Sequence, residues 1–203
     1  VGISGKMGSG KNYIAEKVLP PIIDKYIKNA QYYYLAFGDQ IKVELGCRHK
    51  ELNYDVLFNK KTKEVRQLLQ KYGTEEGRCK YGEDIWIRSM QMWMDIFKGR
   101  NIGRNNVFII TDVRFRNEAD WIRSQNGVLI RIDAPKRTSD RVLQEGSDGI
   151  QNHSSEVDLD AYEFKYIVNN DPEYVNTIEE QVQEIARRVE GARMQQQTTG
   201  TGR

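Results

Sequence analysis

The 203-residue chain is poor in cysteine and histidine, with two of each: Cys47, Cys79, His49 and His153. The cysteines stand too far apart to share a metal, and two histidines build no zinc site of ordinary spacing. A reduced, cytoplasmic protein is the simplest expectation. No apolar run approaches the ~20 residues of a membrane span, and no secretory leader is visible. A dominant charge sign is missing too. Thirty-one Lys and Arg against 29 Asp and Glu leave a formal net charge of +2. A basic arm for nucleic acid is therefore excluded, and small anions are the expected partners. The length supports one domain, 1–190. Residues 191–203 have no apolar period and are expected to lie outside it as a low-complexity tail. The chain opens on Val1 inside an apolar run, so residues upstream of it are expected.

What is present alternates. "VGIS" (1–4), "YYYLAF" (32–37), "VFIIT" (107–111), "VLIRID" (128–133) and "YIVNN" (166–170) read as strands. "VFIIT" is a continuous β-rich run, the pattern of a strand buried on both faces. "KNYIAEKVL" reads as a helix that stops at Pro20-Pro21, and further helices are predicted over 61–72, 85–97, 117–125 and 175–190. This order predicts an α/β fold, a parallel sheet of about five strands flanked by helices. In helix 85–97, Trp86, Met90, Trp93, Met94 and Phe97 recur at helical spacing and read as core.

The first strand feeds "GKMGSGK" (5–11), a G-x-x-x-x-G-K string. Gly5, Gly8 and Gly10 permit backbone angles that turn successive N–H groups, Ser9 among them, toward an anion. The following helix adds the positive end of its dipole, and Lys11 reaches β- and γ-phosphates. A strand before and a helix after favour a phosphate-binding loop over a glycine-rich turn. The position after the lysine normally carries the hydroxyl that ligates magnesium, but here it is Asn12. Mg2+ would then be held by ATP oxygens, waters and one carboxylate. Asp112, ending "VFIIT", is the candidate, directly or through water.

In "KEVRQLLQKYGTEEGR" (63–78), Val65, Leu68, Leu69 and Tyr72 form an apolar stripe. Arg66 and Gln70 share another face, and Gly73 is the expected helix stop before a turn carrying Arg78. Guanidinium and amide suit a phosphate and a base edge. By spacing alone, a solvated face explains them better.

The segments "GKMGSGKN", "FGDQIK", "VRQLLQKYGTEEGR" with "DIWI", "TDVRFRNEADW", "HSSE" and "VNND" occur in the order found in the deoxynucleoside monophosphate kinases of phages and large DNA viruses, which the chain resembles over nearly its whole length. In that P-loop kinase family the residue after the loop lysine is commonly Asp, to which Asn12 is close. Thr usually follows, where this chain has Tyr13. The resemblance implies an acceptor-binding region over about 39–90, with Lys42, Arg66 and Gln70 facing a monophosphate and Arg78 and Trp86 near its base or phosphate. It places Asp112 and Arg114 between donor and acceptor. Asn169 and Asn170 fall where such kinases hold the adenine of ATP. A lid over about 136–153 would bring Arg137 and Arg141 to the transferring phosphoryl group, with His153 and Glu156 at a hinge or turn. Glu118 reads instead as part of a helix start with Asn117 and Asp120.

The expected reaction is transfer of the ATP γ-phosphoryl to a (deoxy)nucleoside 5′-monophosphate, in the host cytoplasm if the source is viral. A homodimer is left open. Three alternatives stand beside it. Animal-type phosphomevalonate kinases share the loop, the "FGDQIK"-like segment and the strand-end Asp-x-Arg. A non-catalytic nucleotide switch is another, although an N-K-x-D guanine motif is absent. The third is an inactive relic used as a scaffold.

Overall fold

The computed structural model describes residues 1–59, 61–145 and 154–200, without the side chains of 141–145, 156 and 196–200. Five strands form one sheet: β1 (Gly2–Ser4), β2 (Ala30–Leu35), β3 (Asn105–Val113), β4 (Leu129–Asp133) and β5 (Tyr166–Asn169). Their order is β2-β3-β1-β4-β5 and every pairing is parallel. The fold is therefore the expected α/β one, with the crossovers that parallel strands require.

The first helical run comprises α1 (Lys11–Tyr13), a π-helical turn Ile14–Val18, and α2 (Leu19–Ile23). After it come α3 (Phe37–Arg48), α4 (Lys63–Lys71), α5 (Cys79–Tyr81), α6 (Ile85–Arg100), α7 (Arg116–Ser124), α8 (Pro135–Glu145), α9 (Ser154–Val157) and α10 (Ile178–Gly200). Side chains alternate across the strands, so the sheet has two apolar faces. Ile3, Ile109, Ile130 and Val168 pack with Ile14, Val18, Ile178 and Val182 on one face. Ile110, Val113 and Leu129 pack with Phe37, Leu45, Trp86, Met90 and Ile122 on the other.

Four features depart from the sequence reading. The first helix does not stop at Pro20-Pro21. The π-turn shifts the hydrogen-bond register, with Leu19 N–H donating to the Ile14 carbonyl, and both prolines fall in the first turn of α2, where a missing N–H costs little. Helix α3 lies in a segment for which no helix was predicted. Helix α4 does not stop at Gly73 but runs into a π-helical stretch, Tyr72–Arg78. Helix α10 continues through residues 191–200, part of the expected tail.

One irregularity shapes the site. Gly2 pairs with Ile110, but Ser4 pairs with Val113, so β3 carries one extra residue here. This bulge turns Val113 into the core beside Ile110 and leaves Asp112 to reach α3. Successive connections also leave β1 on opposite sides, because its neighbours are β3 and β4. The carboxyl end of β1 is thus the switch point of the sheet, the crevice where open α/β sheets bind ligands.

Candidate active site

The glycine string leaves β1 at that crevice. Gly5, Gly8 and Gly10 all have positive φ, at 149°, 85° and 88°. At Gly10 the need is also steric, since a Cβ would lie 2.2 Å from Asn170 Nδ2. Asn170 is buried and donates from Nδ2 to the Ser9 carbonyl at 2.7 Å. The loop is therefore braced from behind by the end of β5. Lys11 folds back over it, with Nζ donating to the carbonyls of Gly5 (2.7 Å) and Lys6 (2.8 Å). Lys6 points elsewhere and pairs with Asp160 at 2.6 Å.

From the loop a cleft of about 440 Å³ extends between α3, α4 and the end of β3. Lys11, Lys42, Lys61, Arg66, Arg78 and Arg114 line it, against the acids Asp112 and Glu118. Gln70 and Asn12 are on its wall as well. Arg66 spans the gap back to the loop, its Nη1 3.1 Å from Met7 Sδ. Lys42 is held by Asp39 at 2.7 Å and lies 4.6 Å over the Phe58 ring. Both cleft acids already accept hydrogen bonds. Asp112 accepts from the N–H groups of Phe37 (2.7 Å) and Gly38 (2.9 Å), the start of α3. Glu118 accepts from the N–H groups of Arg114 (2.8 Å) and Phe115 (3.1 Å), the start of α7, and pairs with Arg78 at 2.5 Å.

A family model of deoxynucleotide monophosphate kinases matches residues 23–182, well over half of the chain. The chain belongs to that family. The match begins after the phosphate loop, so the geometry of the loop is an independent observation. A protein of Acanthamoeba polyphaga mimivirus, provisionally named a deoxynucleotide monophosphate kinase, is 28% identical over 212 residues, covering 95% of this chain and 96% of the relative.

Against this family background, the cleft brings together Lys11, Asn12, Lys42, Arg66, Gln70, Asp112 and Arg114. Two other expected contacts also line it but carry internal work. Arg78 is buried: besides Glu118 it donates to the Glu83 carbonyl and Asn117 Oδ1, and its guanidinium sits 3.7 Å over the Phe115 ring. Trp86 donates from its indole to the Gly73 carbonyl at 2.7 Å, which occupies its one donor. Arg137 approaches from α8, with Nη1 3.7 Å from where a Gly10 Cβ would be. Asp171, buried beside Asn170, accepts from the N–H groups of Arg137 (3.1 Å) and Lys136 (3.3 Å) and so caps α8. Asn169 is tied through its backbone to Gln181 on α10, and its side chain is exposed. The side chains of Arg141 and Glu156, and all of His153, lie outside the described residues.

Burial pushes the Asp112 carboxyl up from its ordinary value, against the pull of the Gly38 N–H, Lys42 and Arg114. Burial and the Asp112 charge push Glu118 up to about 7, against Arg78 and the two N–H groups. For magnesium the donor set is thin. Among the described residues no group of three or more His, Cys, Asp or Glu could hold a metal ion. A single carboxylate already accepting two N–H groups fits an ion that would arrive on ATP and keep most of its waters.

Two useful residues escaped sequence reasoning. Asp171 was quoted only as the end of "VNND". Lys61 sat in the polar run "NKKTK". A signal did exist for Lys61: Thr62 caps α4 through a bond from Val65 N–H to its Oγ1, which makes Lys61 the residue just before the cap.

Proposed function

We propose that the protein transfers the γ-phosphoryl group of ATP, bound with Mg2+, to the 5′-phosphate of a deoxynucleoside monophosphate. The observation that carries this reading is one cleft with Lys11 of the phosphate loop at one end and Lys42, Arg66 and Arg114 at the other. Its two acids accept backbone N–H groups, and phosphate-bearing substrates are the ligands whose charge suits walls lined mainly by lysine and arginine. The family match and the name of the mimivirus relative support it.

An anionic oxygen of the monophosphate attacks the γ-phosphorus, the bond to the β–γ bridging oxygen breaks, and ADP leaves. No covalent intermediate and no strong base are required. Charge spreads over the transferring oxygens, so catalysis is positioning and electrostatic stabilisation. Asp112 would hold the magnesium ion that arrives with ATP, and bound magnesium would supply neutralisation of the developing charge. Lys11 exchanges the carbonyls of Gly5 and Lys6 for β- and γ-phosphate oxygens. Asn12 stays at the loop rim as a polar contact and Asp112 reaches the ion through water. Arg66 and Lys42 hold the acceptor phosphate, Arg114 bridges the two substrates, and Gln70 reads a base edge. Arg137, with Arg141 on the same helix, reaches the phosphoryl group from the donor side.

A coupled assay of ADP release with each of the four deoxynucleoside monophosphates and with phosphomevalonate tests the reading. Turnover with at least one nucleotide and none with phosphomevalonate is expected. Turnover with phosphomevalonate alone, or ATP binding with no acceptor dependence, would overturn it.

A further inference from the structure

The cleft holds a cation that neither the motifs nor the roles above use. Lys61 lies half-buried on the acceptor side, just before the Thr62 cap of α4. Its Nζ donates one hydrogen bond, to the Phe58 carbonyl at 3.0 Å, and forms no ion pair among the described residues. Two of its three donor positions therefore remain. Phe58 ties it to Lys42, since the same residue that takes Lys61 on its carbonyl takes Lys42 on its ring.

Burial, with Lys42, Arg66 and Arg114 nearby, pushes the Lys61 ammonium down from its ordinary value. Among the described residues, Asp39 is the acid that opposes them, and it is engaged, with Oδ1 on Lys42 and Oδ2 on the Ala36 N–H. A half-buried ammonium near other cations is held at a cost, and an anion placed against its remaining donors relieves that cost. A solvated surface lysine would turn outward, because its stem can carry the charge to water. Lys61 instead bonds back to the Phe58 carbonyl, in the π-helical turn Asp55–Asn59.

We propose that Lys61 is a phosphate-binding residue of the acceptor end, holding the dianionic 5′-phosphate together with Lys42 and Arg66. This rests on the donor and acceptor ends being as assigned above. The donor phosphates are the competing source of the same chemistry, and the test separates them.

The experiment is calorimetric titration of wild type, Lys61→Met and Lys61→Arg with three kinds of probe: the four deoxynucleoside monophosphates, their nucleosides lacking phosphate, and a non-hydrolysable ATP analogue. In Lys61→Met the affinity for the accepted monophosphate should fall about 10- to 100-fold, the range of one hydrogen bond to a charged group. Affinity for the ATP analogue should stay within about twofold, and nucleoside binding should not change. Lys61→Arg should recover most of the loss, which a merely structural role would not require. An unchanged monophosphate affinity in Lys61→Met, or an equal loss for the ATP analogue, overturns the assignment. So does a wild-type protein that binds none of the four monophosphates. A protein that binds a monophosphate through Lys61 yet transfers no phosphoryl group supports this assignment and breaks the proposed reaction instead.

Discussion

The two ends of the cleft are built differently. At the proposed donor end the backbone does the shaping: three glycines at positive φ, a buried asparagine on the Ser9 carbonyl, and a lysine resting on loop carbonyls. At the proposed acceptor end long side chains do it, with Lys42, Lys61, Arg66 and Arg114 gathered from α3, the residue before the α4 cap, α4 and the end of β3. A backbone nest presents a fixed array of N–H groups to a polyphosphate common to all ATP. Side-chain cations set on separate elements can be tuned residue by residue to the acceptor. Donor recognition should therefore be all-or-none under substitution, and acceptor recognition graded.

Lys11→Ala breaks the comparison most severely if it fails. Turnover should fall at least ~100-fold, as for loss of one preorganised electrostatic donor. Monophosphate binding measured without ATP should persist. Arg66→Ala should lower kcat/KM for the monophosphate by roughly 10- to 100-fold through both KM and kcat, with ATP binding intact. Loss of ATP affinity with normal acceptor kinetics would move α4 to the donor end or the core.

Asp112 and Asn12 sharpen the boundary between the two ends. Asp112→Asn keeps one carbonyl acceptor for the start of α3 but removes the charge, and should cost about tenfold in turnover with a raised magnesium requirement. Asn12→Ala should stay within about threefold, because a side-chain amide on an exposed rim is a dispensable magnesium ligand. The opposite order in a magnesium titration would reverse the two roles. Asn170→Ala removes the brace behind the loop. It should raise the KM for ATP several-fold and lower stability by about 1–3 kcal/mol, the cost of leaving the Ser9 carbonyl unpaired, read from ATP kinetics and denaturant unfolding. Gln70→Ala should have the smallest effect on rate and appear mainly as altered ranking among the four monophosphates, measured by kcat/KM for each.

The sequence made the donor end easier to read than the acceptor end, for a physical reason. The glycines and the lysine expected of a phosphate loop lie within one contiguous string, between a strand and a helix, so the sequence alone suggests it. The five strands were legible because parallel strands are near-continuous apolar runs. Helix α3 was not. Gly38 and Gly46 are poor helix formers, and its first N–H groups are satisfied by Asp112, 75 positions away from Phe37. Nothing local announces such a start. Arg78 shows what a motif position leaves out: it lines the cleft, and its guanidinium also bonds Glu118, Asn117 and the Glu83 carbonyl, partners that the sequence does not bring together. Asn170 was expected beside adenine, and its amide holds the loop. Lys61 was hidden because a lysine in a polar run looks solvated until the fold shows which wall it joins. The helix past Pro20-Pro21 needed the π-turn, a register change that no propensity scale contains.

The central claim is that both ends of the cleft act on one phosphoryl group. Following the γ-phosphate of labelled ATP in the presence and absence of each deoxynucleoside monophosphate tests this most directly. The account predicts that label appears in a deoxynucleoside diphosphate whenever an accepted monophosphate is present, with little inorganic phosphate released in its absence. Label appearing in inorganic phosphate at the same rate with and without acceptor would contradict it.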